Sequence, residues 1–243
     1  MSLRVFAPAG SAPCPGDRLL LDRDESRYLR RVRRARDGAS IELLDGCGGL
    51  WSATVEADDG RCTTILVGKT VAIAGPSRRL TLLLGLPEAA ATLQTITQAT
   101  ELGVATIVLV RCARSQGRAP SRDRIDRVLR STLRQCGRPR PPEIIETLSL
   151  REALTVAPKA PGFFADTALR GQADGQTTLG SAARLLVGPE GGLAEHETLT
   201  TREHGWTALA LGPWTLRSET AALIGLSRLL FADPVHPVDR EAS

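Results

Sequence analysis

Short runs of alternating apolar and polar residues dominate the first part of the chain, up to about residue 70. The runs LRVFA, RLLL, SIELLD, LWSATVE and TTILVG are rich in β-forming residues, and turns such as DGCGG separate them. Strands this short and this closely spaced are typical of a small barrel. The pattern therefore predicts an N-terminal β-barrel.

A helical pattern interrupts these strands and predicts a helix from about Asp24 to Arg36, ended by the DG pair that follows. At 3.6 residues per turn, one face would carry the arginines Arg27, Arg30, Arg31 and Arg34. The opposite face would carry the apolar residues Tyr28, Leu29, Val32 and Ala35. Six arginines in ten residues favour a contact with a phosphate backbone, although a solvated helix face gives the same pattern.

The pattern changes after a linker at about residues 73–77 to strands that alternate with helices. The runs LTLLLGL, ATIVLV, EIIE, GFFAD, ARLLVG and WTALALG are predicted strands, and amphipathic segments lie between most of them. Repeated β–α order predicts a parallel sheet covered by helices, hence an α/β fold. We therefore predict two domains, over residues 1–72 and 78–243.

Two glycine-containing loops follow predicted strands that we expect to be neighbours, at the end of the strands where parallel sheets bind their ligands. They are GPEGG at residues 188–192 and LGPWTLRSET at residues 211–220, although each could also be only a tight turn. Neither is a GxGxxG phosphate loop, and the first contains a glutamate and no lysine. Such a loop suits a neutral ring edge and a cation, and S-adenosylmethionine offers both without a phosphate.

The composition limits the classes of binding partner that we expect, but it does not identify one. The chain has 42% hydrophobic and 24% charged residues, a net charge of +4, and 29 arginines against 2 lysines. Five cysteines without a CxxC pair, and three histidines away from them, predict free thiols and no metal site. No apolar run is long enough for a membrane span, so we expect a cytoplasmic protein with no membrane partner.

Several segments resemble one known family. LLVGPEGGLAEHE, LALGPWTLRSETAAL, QATELGVATIVLV and RQCGRPRPPEI are similar, in this order and over nearly the whole chain, to the ribosomal RNA small subunit methyltransferase E family. This is the 16S rRNA uracil-N3 methyltransferase family of the SPOUT class. The resemblance implies an RNA-binding PUA-like β-barrel followed by a SPOUT-type parallel sheet with a C-terminal trefoil knot. It also implies S-adenosylmethionine as cofactor, a homodimer, and uridine 1498 of 16S rRNA in the small ribosomal subunit as target.

The same resemblance assigns the cofactor site. Its first loop matches at Leu186, Gly188, Glu190, Gly191 and Gly192. Its second loop matches at Leu211, Gly212, Leu216 and Arg217, and the following helix starts with Glu219 and Thr220. The chain departs from the family at Trp214, where an arginine is usual, and near Glu88, where a lysine is common. These departures leave open a differently targeted or non-catalytic RNA-binding SPOUT protein.

Two residues are the catalytic candidates. Arg217 could stabilise the uridine anion that forms when N3 loses its proton, or it could clamp Glu190 or Glu219. Glu219 could be the general base, or it could only favour the first turn of its helix. The candidates for phosphate contacts are Arg30, Arg31, Arg34, Arg111, Arg114, Arg118 and Arg138. An unrelated enzyme with an adenosine ligand remains an alternative, against which the arginine-rich helix argues.

Overall fold

The computed structural model describes residues 2–58, 62–156, 160–169 and 179–232. They fall into two compact units. The first lies within Met1–Gly75 and Asp126–Pro141, and the second lies within Pro76–Ile125 and Pro142–Ser243. The division of the chain into domains at residues 73–77 stays a prediction.

The first unit contains a five-stranded sheet, and all five predicted strands are confirmed. The strands are β1 (Arg4–Phe6), β2 (Arg18–Leu20), β3 (Ser40–Leu44), β4 (Leu50–Asp58) and β5 (Thr63–Thr70). Their order is β1-β3-β4-β5-β2, with β1 parallel to β3 and the other pairs antiparallel. Alternate residues of β5 are buried, which is the period of two that predicted it.

The helix between β2 and β3 is shorter than predicted. Helix α1 (Arg23–Arg27) continues as a π-helical turn (Tyr28–Val32), so the predicted end at Arg36 is wrong. Backbone N–H groups in this turn reach back five residues, as in the 2.9 Å bond from Arg33 to Tyr28. A π turn is wider than an α turn, so residues after it are rotated away from the positions that 3.6 periodicity gives.

This rotation changes the predicted faces of the helix. Val32 is 64% exposed, so its predicted place on the packed face is wrong. The side chain of Arg30 turns inward and donates to Asp37 at 2.5 Å. Arg27, Arg31 and Arg34 are exposed, and Arg34 adopts a positive φ of 54°. Of the four arginines on the predicted arginine face, Arg27, Arg31 and Arg34 therefore remain exposed and Arg30 does not.

A buried carboxylate anchors helix α3 (Arg122–Cys136) in the first unit, which includes this helix from Asp126 onward. Glu25 is fully buried and accepts a hydrogen bond from the backbone N–H of Phe6 at 3.0 Å. Its Oε1 atom also accepts from Arg130 at 2.6 Å and from Arg134 at 2.5 Å. A buried charge is costly unless it is paired and hydrogen-bonded, so removing either arginine should loosen α3.

The second unit contains a six-stranded sheet whose strands all run parallel, as predicted. The strands are β6 (Arg79–Gly85), β7 (Thr106–Arg111), β8 (Glu143–Ser149), β9 (Gly162–Ala165), β10 (Ala182–Val187) and β11 (Thr207–Leu209). Their order is β11-β9-β10-β6-β7-β8. The helices of this unit are α2 (Ala89–Glu101), α4 (Leu150–Val156), α5 (Glu195–Glu203) and α6 (Ser218–Leu230).

The helices of this unit pack on neighbouring strands. Helix α6 packs on α2, β6 and β10, and α4 packs on β7, β8 and α5. Gly225 permits the close approach of α6, since a Cβ there would lie 2.8 Å from the Leu185 side chain. Hydrogen bonds between Ser149 and Glu152 form a capping box at the start of α4, and they also lower the pKa of the Glu152 carboxyl.

Parallel pairing brings the carboxyl ends of all six strands to one edge of the sheet. The two glycine-containing loops follow β10 and β11 at this edge, but β9 lies between those strands. Our expectation that the two strands are neighbours is therefore wrong, and the loop after β9 separates the glycine-containing loops. None of the helices in the described part of the chain has the length and apolar character that a membrane span needs.

Candidate functional site

A pocket of about 260 Å³ opens at this edge of the second unit. It is formed by the loops after β9, β10 and β11 and by the start of α6. Five of the predicted cofactor residues line it: Gly188, Glu190, Gly191, Gly192 and Leu216. A smaller pocket of about 40 Å³ adjoins it and is lined by Leu211, Gly212 and Trp214 among others. The two pockets share the residues Ala165, Asp166, Thr167, Leu216 and Ala221.

Close packing explains the glycines of the first loop. A Cβ on Gly188 would lie 3.1 Å from the backbone of Gly192 and Leu193. Gly192 has a φ of +69°, in the left-handed region that other residues rarely adopt. A Cβ on Gly85, at the end of β6, would lie 2.8 Å from Pro189. The loop is therefore folded tightly on itself and on β6, and it turns backbone towards the pocket.

Two charged side chains hold this loop in place. Glu190 Oε1 accepts a hydrogen bond from the backbone N–H of Glu88, the residue that caps α2, at 3.0 Å. Arg114 Nη1 donates to the carbonyl oxygens of Gly191 at 2.9 Å and Leu193 at 3.4 Å. The structure thus places Arg114, a predicted RNA contact, on the glycine loop and in the pocket lining.

The loop after β7 is anchored beside the pocket by a buried acid. Glu197 is 5% exposed, and its carboxylate accepts from the backbone N–H groups of Ala113 and Ala194, both at 2.8 Å. Burial, and then the charge of Glu197, raises the pKa of the Cys112 thiol to about 12. Cys112 is therefore a neutral core residue at physiological pH and an unsuitable nucleophile.

The predicted catalytic residues lie at the start of α6. Arg217 is the exposed N-cap residue of this helix, and its neighbours Leu216 and Ser218 both line the larger pocket. Glu219 is half-buried and accepts a hydrogen bond from the Ser218 hydroxyl at 3.3 Å. Within the described residues Arg217 forms no ion pair with Glu190 or Glu219, so the alternative role as a clamp gains no support.

Other predicted residues lie farther from the pocket lining. Leu186 is fully buried in the core beneath the glycine loop, and Thr220 is half-buried in the first turn of α6. Arg111 and Arg118 are exposed, and Arg111 donates to the Gly117 carbonyl at 2.8 Å. Arg138 belongs to the first unit and is half-buried, and burial lowers the pKa of its guanidinium.

Sequence reasoning missed the loop after β9. Ala165, Asp166 and Thr167 line both pockets. The sequence does contain a feature that could have indicated Asp166. This residue directly follows the apolar run GFFA of a predicted strand, at the edge where parallel sheets bind their ligands. Only the strand order, with β9 between the other two, shows that this position belongs to the site.

The chemistry of the lining suits an adenosine ligand without phosphates. Arg114 is the one basic side chain among the described lining residues, and the glycine loop contributes backbone atoms. Val187, Leu193, Leu216 and Ala221 add apolar surface, and Asp166 and Glu190 add carboxylates. No group of three or more His, Cys, Asp or Glu residues in the described ranges could hold a metal ion. Fold and site together define an α/β protein with a pocket built from glycine-containing loops at the sheet edge.

Comparison with known proteins identifies the family. The model of the RNA methyltransferase domain matches residues 75–230, and that of the RNA methyltransferase PUA domain matches residues 21–67. The chain belongs to the RNA methyltransferase family, as its motifs predicted.

Relatives and a solved structure agree with this assignment. The ribosomal RNA small subunit methyltransferases E of Aquifex aeolicus and Mycobacterium bovis are 27% and 29% identical. Each alignment covers 88% of this chain, and they cover 95% and 86% of the relatives, respectively. The crystal structure of that enzyme from Neisseria gonorrhoeae, bound to S-adenosyl methionine, is 24% identical with a TM-score of 0.82, over 94% of this chain and 97% of that one. The predicted fold class is thereby confirmed, while the knot stays a prediction.

Proposed function

We propose that this protein methylates N3 of a uridine in 16S rRNA of the small ribosomal subunit, with S-adenosylmethionine as the methyl donor. The observation that carries the proposal is the glycine-lined pocket of the RNA methyltransferase domain, whose described lining residues include one basic side chain. The names of the relatives and the ligand of the Neisseria structure support the substrate and the cofactor. The family's uridine 1498 is the expected target.

The cofactor would be held mainly by backbone and apolar groups. We assign this role to Leu186, Gly188, Glu190, Gly191, Gly192, Leu211, Gly212, Leu216 and Thr220. Glu190 would act through the loop, since its carboxylate is hydrogen-bonded to the start of α2. When bound, S-adenosylmethionine supplies an electrophilic methyl group. A site with few cationic side chains would not repel its positively charged sulfonium.

Methylation of N3 requires residues of the protein to accept the N3 proton and to stabilise the negative charge that develops on the uracil ring. N3 lies on the Watson–Crick edge of uracil, so the base must be unpaired or flipped out before it can react. N3 then loses its proton, and we assign the acceptor role to Glu219 at the start of α6. The negative charge that develops on the uracil ring would be stabilised by Arg217, whose guanidinium is exposed beside the pocket.

RNA would be held by arginines of both units. Exposure favours Arg31 and Arg34 in the first unit and Arg111 and Arg114 in the second, whereas Arg30 and Arg138 are partly buried. Arg111 and Arg114 also donate to backbone carbonyl groups, of Gly117 and of the glycine loop respectively. The homodimer and the knot that the family resemblance implies are part of the same proposal. A cytoplasmic location fits this proposal, since the substrate is a ribosomal subunit.

Replacing Arg27, Arg31 and Arg34 together by alanine should weaken RNA binding and flatten its salt dependence. Each lost phosphate contact should reduce the slope of log K against log salt concentration by about 0.7–0.9, hence by about 2–3 for the triple variant. The measurement is a titration of an rRNA fragment at several salt concentrations. Arg30→Ala is the matched control and should leave the slope unchanged, because Arg30 is paired with Asp37. An unchanged slope in the triple variant would remove this surface from the RNA interface.

The proposed activity is tested by transfer of a tritiated methyl group from S-adenosylmethionine to small ribosomal subunits that lack the modification. An N3 methyl blocks base pairing, so one new stop of reverse transcriptase in 16S rRNA should mark the product. Cofactor binding without transfer to any rRNA would instead favour a non-catalytic RNA-binding protein. In that case Trp214, which is 77% exposed beside the smaller pocket, would be the first residue to change to arginine.

A further inference from the structure

Asp166 is a carboxylate at the junction of the two pockets, and the proposed reaction gives it no role. It lines both pockets, and its side chain is 13% exposed. It follows β9, between the two loops that the sequence motifs mark as the cofactor site. A carboxylate in this position is within reach of a ligand that occupies both pockets.

Two hydrogen bonds fix the orientation of this carboxylate. Its Oδ1 atom accepts from the backbone N–H of Ala168 at 2.9 Å, and its Oδ2 atom accepts from Arg202 at 2.9 Å. The Arg202 guanidinium also lies 5.4 Å from the centre of the Phe164 ring. Each carboxylate oxygen has a second lone pair, so Asp166 can accept two further hydrogen bonds without losing these anchors.

The linings of the two pockets indicate how an adenosine ligand would lie. The smaller pocket is bordered by Leu209, Leu211, Trp214, Leu216 and Ala221, which suit an aromatic ring. The larger pocket contains Arg114, which suits a carboxylate such as that of a methionine moiety. In S-adenosylmethionine the ribose lies between these two ends, and its two hydroxyl groups are hydrogen-bond donors.

We infer that Asp166 binds the ribose hydroxyl groups of the adenosine ligand and so selects a ribonucleoside with its diol. The inference rests on the proposed function, because it takes the pocket to be the S-adenosylmethionine site. A carboxylate that accepts from a ribose diol is a recurring solution in nucleotide-binding α/β folds, and here the acid is supplied by the loop between the two glycine-containing loops.

The test compares S-adenosylhomocysteine with its 2′,3′-dideoxy counterpart by calorimetric titration. The wild-type protein should bind the diol form about 10- to 100-fold more tightly, as expected for hydrogen bonds to a charged group. In Asp166→Ala the affinity for the diol form should fall by about that factor, while the affinity for the dideoxy form stays within about threefold. Glu203→Ala is the control, because it removes an exposed acid that follows Arg202 and lies outside both pocket linings among the described residues.

The outcomes separate the inference from the proposed function. If the wild-type protein binds both compounds equally well, the ribose assignment fails and the cofactor assignment stands. If Asp166→Ala weakens both compounds equally, Asp166 has only a structural role. If the wild-type protein binds neither, both proposals fail. Should Asp166→Ala not fold, Asp166→Asn keeps the shape of the side chain, and its preference for the diol form should fall in the same direction.

Discussion

Replacing Arg217 by alanine should lower the rate of methyl transfer about 10²- to 10³-fold and leave the dissociation constant of S-adenosylmethionine nearly unchanged. This is the usual effect of removing one group that stabilises a developing negative charge. Arg217 lies between two residues of the pocket lining, and its side chain is exposed. Its backbone carbonyl, which the substitution keeps, accepts from Ala221 at 2.8 Å, so the first turn of α6 should persist.

Single-turnover kinetics with saturating cofactor isolate this effect from product release. Arg217→Lys should recover part of the rate, because the charge remains while the planar guanidinium is lost. A thermal unfolding curve like that of the wild type would show that the loss is chemical. If the single-turnover rate were unchanged, or if the affinity for S-adenosylmethionine fell by the same factor as the rate, Arg217 would have no part in stabilising the uridine anion.

Periodic patterns predicted the strands and the parallel sheet well. β5 alternates buried and half-buried residues, and β7 is an apolar run that is buried along five of its six residues. Gly103 follows the last turn of α2 with a φ of +83°, as is common for a glycine just after the end of a helix. These features depend on neighbouring residues in the chain, so a single sequence contains the information that fixes them.

Features that depend on distant residues were not predictable in this way. The inward position of Arg30 in the π turn at residues 28–32 includes a contact with Thr63 of β5, which lies 33 residues away in the chain. The role of Arg114 depends on carbonyl oxygens 77 and 79 residues away in the chain. Asp166 joins the site only because β9 pairs with both β10 and β11, and no local pattern specifies strand order.

Replacing Arg78 by methionine should lower the free energy of unfolding by about 3–5 kcal/mol, as when a buried charge-assisted network loses its donor. Arg78 is 3% exposed, just before β6. Its guanidinium donates to the carbonyl oxygens of Gly180 at 2.6 Å and Leu179 at 3.2 Å, and to Leu229 and Leu230 at the end of α6. Methionine would fill much of the same volume but would leave these carbonyl groups without their donor.

Urea denaturation should show the loss as a lower midpoint with an unchanged slope. Arg79→Met is the matched control: its side chain is exposed at the next position, and the expected change is within about 0.5 kcal/mol. Arg78→Lys should fall between the two, since one ammonium group keeps the charge but cannot reach both the loop at 179–180 and the end of α6. Equal midpoints for Arg78→Met and Arg79→Met would contradict the assigned role. A large difference would show that one arginine holds the last turn of α6, the helix whose N-terminal end carries Arg217 and Glu219.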